Sequence, residues 1–386
     1  MNFSLLTPAK IIYGNGTANQ IAPILKDWNK RVLFVTGKNH PSRDEVASSL
    51  ELNGIEYFVQ QINGEPTLSS VKELTQFARE HLCEVILAMG GGSVIDSGKA
   101  VSALLTNHGD ILDYLEVVGA GKSIENPAAK MIAVPTTAGT GSEVTKNAVI
   151  LVEEQHVKVS LRSELMIPRV ALIDPMLSLS LPPQYTASTG MDALTQVVEP
   201  FVSNKANQMT DLFCESGIKS ARNALLEAYQ NGDNLSAREK MSWTSLMGGL
   251  ALANAGLGAV HGFAAVIGGM FDAPHGDICA RLLPIVFEVN CREIQKTSEC
   301  TKYLSRFIQI SRWLVGRDNA GIEDGVYFLS NLAEKLNIPS LSIYGLDSSR
   351  IEEIAQKARN ASSMKGNPVR LNDDVLIEIM QRAISD

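Results

Sequence analysis

The stretch "GMDALTQVVEP", residues 190–200, places two polar side chains among small and apolar residues. In a helix, Asp192 and Gln196 lie one turn apart on the same face. A carboxylate and an amide that face a core need partners to offset their lost hydration. They could be metal ligands, a buried hydrogen-bonded pair, or part of a polar surface patch.

Two histidines follow in a glycine-rich apolar segment, "GAVHGFAAVIGGMFDAPHGDICARLLP". One histidine in such surroundings is usually a hydrogen-bonded core residue. If Asp192, His261 and His275 converge, however, they form a two-histidine, one-carboxylate site with open positions. Such a site suits Fe(II), Zn(II) or a similar divalent ion.

Two further segments could bind phosphate and sugar groups. In "AMGGGSVIDSGKA" (88–100), three consecutive glycines precede a helix that is predicted from about Ser93. Bare N–H groups and the positive end of that helix favour an anion such as pyrophosphate. In "VPTTAGTGSEVT" (134–145), hydroxyl groups alternate with glycines and could bond a ribose or an amide. The alternative for both segments is a tight, capped turn.

The elements that must position these residues change type near residue 180. Apolar runs at 31–37, 84–90, 130–137 and 170–174 alternate with helical patterns, which predicts a parallel sheet covered on both faces. Residues 147–163 predict an antiparallel hairpin, and long helical patterns follow "LPP" at 181–183. We therefore expect an α/β dinucleotide-binding domain (1–180), an all-α domain (181–386), and a cleft between them.

The strand that ends at Gly37 bears on the choice of nucleotide. An acidic residue at that position would bind the ribose 2′-hydroxyl of NAD. Gly37 instead leaves space, and Lys38 and Arg43 lie close in sequence. This arrangement permits the 2′-phosphate of NADP, unless both cations are simply solvated.

The composition limits the classes of partner and the compartment that we expect for this protein. The net charge of −8 argues against nucleic acid or an anionic membrane as a partner. The N-terminus lacks the pattern of a secretory signal, and five scattered cysteines indicate reduced thiols, so we expect a cytoplasmic protein. Residues 241–271 carry no Asp, Glu, Lys or Arg, but their many glycines favour buried core helices over a transmembrane span.

Five segments together resemble the iron-containing (group III) alcohol dehydrogenase family, which has the dehydroquinate synthase-like fold. They are "GGGSVIDSGKA", "VPTTAGTGSEVT", "ALIDPMLSLSLPP", "TGMDALTQVVEPFVS" and "HGFAAVIGGMFDAPHG". The resemblance implies an NAD(P)-dependent enzyme that interconverts a small alcohol and its aldehyde or ketone. It also implies a divalent metal, Fe(II) or alternatively Zn(II).

The resemblance also implies site residues. The metal ligands fall on Asp192, Gln196, His261 and His275, of which Asp192, His261 and His275 would be catalytic. The expected nucleotide contacts, including Gly37 from the argument above, are Gly37, Gly91, Gly92, Ser93, Asp96, Thr136, Thr137, Thr145 and Lys158. Of these, Thr136 and Thr137 would lie near the adenosine half, and Thr145 and Lys158 near the nicotinamide ribose.

Two positions depart from the family pattern. Gln196 stands where members usually have histidine, which changes metal affinity. Ala265 stands where many members have a second histidine, so a proton relay through that side chain is absent. A metal-independent reductase similar to maleylacetate reductases, or a non-redox or inactive nucleotide-binding member, is therefore an alternative. An edge strand within residues 1–13 is a candidate for pairing in a homodimer.

Overall fold

The computed structural model describes residues 3–38, 40–155 and 157–385. Its strands are β1 (Lys10–Tyr13), β2 (Val32–Gly37), β3 (Tyr57–Ile62), β4 (Val85–Gly90), β5 (Lys130–Pro135), β6 (Asn147–Val152), β7 (Val157–Arg162) and β8 (Val170–Ile173). Its α-helices are α1 (Ile21–Trp28), α2 (Arg43–Leu52), α3 (Leu68–Glu80), α4 (Gly92–Thr106), α5 (Pro183–Val202), α6 (Gln208–Gln230), α7 (Leu235–Ala255), α8 (Ala259–Met270), α9 (His275–Ile294), α10 (Cys300–Val315), α11 (Ile322–Lys335), α12 (Ile351–Asn360) and α13 (Asp373–Ile384).

The chain divides into two compact units. One contains residues 6–137 and 141–181, and we call it the sheet unit; the other contains residues 138–140 and 182–385 together with residues 3–5, and we call it the helical unit. The sheet unit holds β1 to β8 and α1 to α4, and the helical unit holds α5 to α13. The predicted fold class, an α/β part followed by an all-helical part, is confirmed.

The sheet unit is built on a parallel sheet with the strand order β1-β8-β5-β4-β2-β3. All six residues of β4 are buried. Its side chains alternate between two cores, with Leu87 and Met89 in one and Ile86 and Ala88 in the other. Apolar side chains cover both faces of this strand, which explains the uninterrupted apolar run in the sequence.

Helix α4 packs directly on the sheet because of a glycine. A methyl group at Gly98 would lie 2.7 Å from Cβ of Ala88 on β4. The helix also contacts β6, which pairs with β7 as the predicted antiparallel hairpin. Residues near the start of α4 are therefore held at a fixed position relative to the strand ends.

The charge-free segment 241–271 forms parts of α7 and α8, which meet at an angle of 98°. Most residues of both helices are buried. In the described residues no single helix has the length and apolar character needed to cross a membrane, although these two bent helices together pass that test.

Candidate active site

Helix α5 provides three inward-facing polar side chains. Asp192, Gln196 and Glu199 lie within the buried part of the helix, at a spacing that puts them on one face. Gln196 Nε2 donates a hydrogen bond to Asp192 Oδ1 over 2.9 Å. Gln196 Oε1 is buried and has no hydrogen-bond partner among the described residues. The two side chains thus form a buried hydrogen-bonded pair, one of the three alternatives left open by the sequence, and the pair leaves one buried acceptor unsatisfied.

Helix α8 provides His261, and Glu199 fixes the orientation of its ring. Glu199 Oε1 accepts a hydrogen bond of 2.7 Å from the backbone N–H of Val260, in the first turn of α8. Glu199 Oε2 lies 2.7 Å from His261 Nδ1. Because a carboxylate only accepts, Nδ1 carries the hydrogen. The remaining ring nitrogen, Nε2, lies 3.2 Å from Asp192 Oδ1.

Helix α9 begins at His275 and approaches α5 closely. A methyl group at Gly276 would lie 2.3 Å from the backbone oxygen of Ser188, so only glycine fits this contact. The approach brings His275 Nε2 to 3.8 Å from Asp192 Oδ1. The side chain of His275 is 35% exposed, whereas that of Asp192 is 3% exposed. His275 therefore forms the open side of the cluster.

The charge distribution fits a cation. Burial disfavours ionised Asp192, but a hydrogen bond from His261 and the charge of His275 outweigh it and lower the Asp192 pKa. Burial likewise disfavours charged His261, yet Cys279, Asp192 and Glu199 raise its pKa well above the usual range. His275 also has a raised pKa, because Cys279 and Asp192 outweigh its desolvation.

The charges of His261 and His275 stabilise the ionised form of Asp192, as a bound divalent ion would. His261 Nε2 and Asp192 Oδ1 both present lone pairs, so a proton or a metal must lie between them. Gln196 Oε1, which has no hydrogen-bond partner among the described residues, is a further potential ligand atom for a metal. Nitrogen and oxygen donors of this kind suit Fe(II) and Zn(II). The structure thus brings Asp192, His261 and His275 together, with Gln196 beside Asp192, and these residues fit a divalent metal.

Two members of this cluster were missed in the sequence analysis. Glu199 lies seven residues after Asp192, a spacing that keeps both on one helix face. Cys279 lies four residues after His275, and its Sγ is 3.6 Å from His275 Nε2. The four-residue spacing was the available signal, but the cysteines were treated as scattered thiols. Ala265 is exposed on α8, one turn after His261.

Six of the nine predicted nucleotide residues, namely Gly37, Gly91, Gly92, Ser93, Thr136 and Thr137, lie at or just after the carboxyl ends of three adjacent strands. Gly37 ends β2, and the triple-glycine turn joins β4 to α4, which begins at Gly92 with Gly91 as its N-cap. The Thr136 N–H donates to the Gly90 carbonyl oxygen at 3.0 Å and so ties this turn to the segment after β5. An anion at the start of α4 would meet free backbone N–H groups.

A second buried polar cluster lies behind these turns. Lys99 is fully buried and donates to the Ser142 carbonyl oxygen at 3.0 Å and to Thr145 Oγ1 at 2.9 Å. Its ammonium group also lies 3.0 Å from Asp96 Oδ1. Asp96 accepts from Ser142 Oγ and, at 2.8 Å, from the Val149 N–H. Asp96 and Lys99 therefore connect α4 to the hydroxyl-rich segment and to β6.

Lys158 has a partner within the same unit. Its ammonium group lies 2.7 Å from Glu65 Oε1. Thr136 and Thr145 are buried, whereas Gly91, Gly92, Ser93 and Thr137 are half-buried. The glycine turn and the threonines are thus grouped on one edge of the sheet, and Asp96, Thr145 and Lys158 already have protein partners.

Comparison with known proteins places this geometry in a family. The model of the iron-containing alcohol dehydrogenase family matches residues 8–175, and that of the C-terminal part of the Fe-containing family matches residues 186–384. The chain is 33% identical over 384 residues to alcohol dehydrogenase 4 of Saccharomyces cerevisiae, covering 97% of both chains. It is 31% identical over 391 residues to the NAD-dependent methanol dehydrogenase of Bacillus methanolicus, covering 98% of this chain and 99% of the relative.

A solved structure agrees over the full length. The alcohol dehydrogenase from Oenococcus oeni is 34% identical, with a TM-score of 0.90 over 99% of this chain and 100% of that chain. The expectation of an NAD-linked alcohol dehydrogenase is confirmed at the level of the family. The chain belongs to the iron-containing alcohol dehydrogenase family.

Proposed function

We propose that this protein interconverts a small alcohol and its aldehyde or ketone by NAD(P)-dependent, metal-assisted hydride transfer. One observation carries the metal-assisted part: His261 Nε2 and His275 Nε2 converge on Asp192 Oδ1, at 3.2 and 3.8 Å. The names of the yeast and Bacillus relatives, an alcohol dehydrogenase and a methanol dehydrogenase, support a small alcohol as the substrate.

Asp192, His261 and His275 would hold a divalent metal, Fe(II) or Zn(II), which acts as a Lewis acid on the substrate oxygen. Gln196 is either a fourth ligand through Oε1 or a donor that orients Asp192 or a bound water. By accepting from Nδ1, Glu199 leaves Nε2 of His261 as the nitrogen that faces Asp192 and would bind the metal. Because Ala265 has no titratable group, the proton of the alcohol leaves through water or a ribose hydroxyl.

In this proposal residues 1–180 bind the nucleotide and residues 181–386 bind the metal. Gly91, Gly92 and Ser93 would hold the pyrophosphate, as their place before and in the first turn of α4 supports. Thr136 and Thr137 would lie near the adenosine half. Asp96, Thr145 and Lys158 remain predicted contacts, although a nucleotide would have to share them with Lys99 or Glu65.

The choice between NAD and NADP rests on the end of β2. A side chain at Gly37 would meet nothing within 4 Å, so space exists there for a 2′-phosphate. Lys38 is exposed next to it. We also propose a cytoplasmic homodimer that pairs along β1, an edge strand of the sheet whose first two residues are exposed.

Metal analysis combined with nucleotide turnover tests the proposal. Protein prepared without chelators should contain stoichiometric divalent metal, and this metal should support the oxidation of NADH or NADPH by an aldehyde panel. Turnover that survives metal removal would instead indicate the metal-independent reductase. Tight nucleotide binding without turnover of any aldehyde would indicate a non-redox member.

The variant Gln196→His sharpens this test. Imidazole is a stronger ligand than an amide oxygen for these ions, so we expect the variant to hold the metal more tightly than the wild type. Competition with a chelator measures the difference. A lower metal affinity in this variant would show that Gln196 is not a metal ligand that imidazole can replace.

A further inference from the structure

Cys279 completes a four-residue cluster in the helical unit. It lies on α9 one turn after His275, and its side chain is fully buried. Its Sγ lies 3.6 Å from His275 Nε2 and 3.9 Å from His261 Nε2. One potential ligand atom from each of Asp192, His261, His275 and Cys279 lies within 4.8 Å of the other three.

The separations agree with the edges of a tetrahedral metal site. With metal–nitrogen and metal–sulfur bonds of about 2.0 and 2.3 Å, tetrahedral angles give nitrogen–sulfur edges of about 3.5 Å. The same geometry gives nitrogen–oxygen edges of about 3.3 Å. The observed nitrogen–sulfur distances are 3.6 and 3.9 Å, and the nitrogen–oxygen distances are 3.2 and 3.8 Å. Four of the six edges are therefore within about 0.5 Å of those of a tetrahedral site, and the other two are no longer than 4.8 Å.

The donor charges also favour a thiolate ligand. Among the side chains that would touch the ion, Asp192 alone offsets one of the two charges of a divalent ion. A thiolate at Cys279 would offset the second within the coordination shell, in addition to the buried Glu199 carboxylate on the far side of His261. Thiolate and imidazole together are a typical donor set for zinc.

Gln196 is oriented as a positioning residue. Its amide presents Nε2, not Oε1, to the Asp192 oxygen on which the two imidazoles converge. A ligand would present its oxygen to the ion. The hydrogen bond instead fixes the carboxylate of Asp192 in the direction of the histidines.

We propose that Cys279 Sγ is the fourth protein ligand of the metal and that Gln196 holds Asp192 in place. This inference rests on the metal site of the proposed function and changes its donor set. When the ion binds, the sulfur–hydrogen bond breaks, a sulfur–metal bond forms, and the proton is released to solvent. The substrate would approach from the open side of the cluster, beside the partly exposed His275.

Cobalt substitution of the full-length protein tests the proposal directly. A thiolate bound to Co(II) produces a strong near-ultraviolet charge-transfer band, which oxygen and nitrogen ligands do not. We expect this band in the wild type and its loss in Cys279→Ala. The matched control is Cys291→Ala, because Cys291 is buried on the same helix but outside the cluster. Circular dichroism and thermal midpoints of the metal-free proteins check that all three are folded.

The outcomes separate this inference from the proposed function. Cobalt bound by the wild type without the band, or a band that persists in Cys279→Ala, would overturn the role of Cys279 and leave the metal site intact. A wild type that binds no cobalt would overturn both. We also expect Cys279→Ala to bind cobalt at least about 10-fold more weakly.

X-ray absorption of the zinc-loaded wild type provides a second measurement that does not depend on a variant. We expect one sulfur at about 2.3 Å among nitrogen and oxygen neighbours at about 2.0–2.2 Å. A shell of nitrogen and oxygen alone would contradict the proposal.

Discussion

The two units each bury a polar cluster, and the clusters differ in how their atoms are satisfied. In the sheet unit, the ammonium group of Lys99 has acceptors from Asp96, Ser142, Thr145 and Asn147. In the helical unit, Nε2 of His261 and Nε2 of His275 converge on Asp192 Oδ1, and Gln196 Oε1 has no hydrogen-bond partner among the described residues.

The difference shows how to separate a structural network from a ligand site. The Lys99 cluster contains its own cation, so its carboxylate and carbonyl groups are balanced without a further ion. The Asp192 cluster contains acceptors that require a proton or a metal. The residues of both clusters are similarly buried. The excess of acceptors over donors, rather than burial, therefore identifies the cluster that binds a ligand.

The largest effect should come from removing the carboxylate of the helical unit. In Asp192→Asn we expect loss of the metal and a fall in kcat/KM of about 1,000-fold or more, because Lewis-acid assistance contributes several kcal/mol. The matched variant Asp96→Asn should retain its metal and weaken nucleotide binding. Metal analysis and nucleotide titration of both variants measure this contrast, and metal loss in Asp96→Asn would contradict it.

Removing the internal cation of the sheet unit comes next. Lys99→Met leaves Asp96 partly buried without its cation and removes the hydrogen bonds that the ammonium group donates to the Ser142 and Asn147 carbonyl oxygens. Breaking a buried pair in this way costs about 3–5 kcal/mol. We expect a lower midpoint in urea unfolding with unchanged metal content per folded protein. Unchanged stability would show that the network is not structural.

Glu143 should make the stability of the sheet unit depend on pH. Burial raises the pKa of Glu143 from 4.5 to about 7. The folded state therefore binds a proton that the unfolded state releases, so stability is full below pH 4.5 and falls as the pH rises through about 7. Glu143→Gln should abolish this pH-dependent loss of stability, which amounts to about 3 kcal/mol. Urea unfolding at several pH values measures it, and parallel curves for both proteins would contradict it.

The smallest effect should come from the partner of His261. In the wild type, the two oxygens of Glu199 accept separately from the Val260 N–H and from His261 Nδ1. In Glu199→Gln a single oxygen must accept from both. Loss of such an orienting partner lowers metal affinity by about 10- to 100-fold. Chelator competition measures this affinity, and nucleotide affinity should not change. An unchanged metal affinity would show that Glu199 acts only as the cap of α8.

The sequence allowed much of the fold to be predicted, because its strands are long apolar runs and its turns carry glycines. The predicted bounds of β2, β4 and β5 agree with the structure within two residues, and the predicted start of α4 agrees within one. The polar side chains of Asp192, His261 and His275 in apolar segments made them candidates for one site, and the family resemblance implied that they meet.

The remaining parts of both clusters depend on packing that no local pattern reveals. Lys99 follows Asp96 by three residues, as in an ordinary exposed ion pair, but this face of α4 is covered by β6 and by the segment that contains Ser142. Cys279 becomes a neighbour of His261 because α9 packs against α8. Spacing along the chain gives the distance from His275 to Cys279 but not the distance from either to α8.

Gly276 gives the contact between α9 and α5 a wider consequence. His275 and Cys279 share one helix, so their mutual separation is set by helical geometry, whereas their distance from Asp192 depends on how near two backbones come at residue 276. The width of the proposed coordination shell is thus controlled by a residue that has no side chain and donates nothing to the ion. A single methyl group added at residue 276 would shift His275 and Cys279 as a pair relative to Asp192.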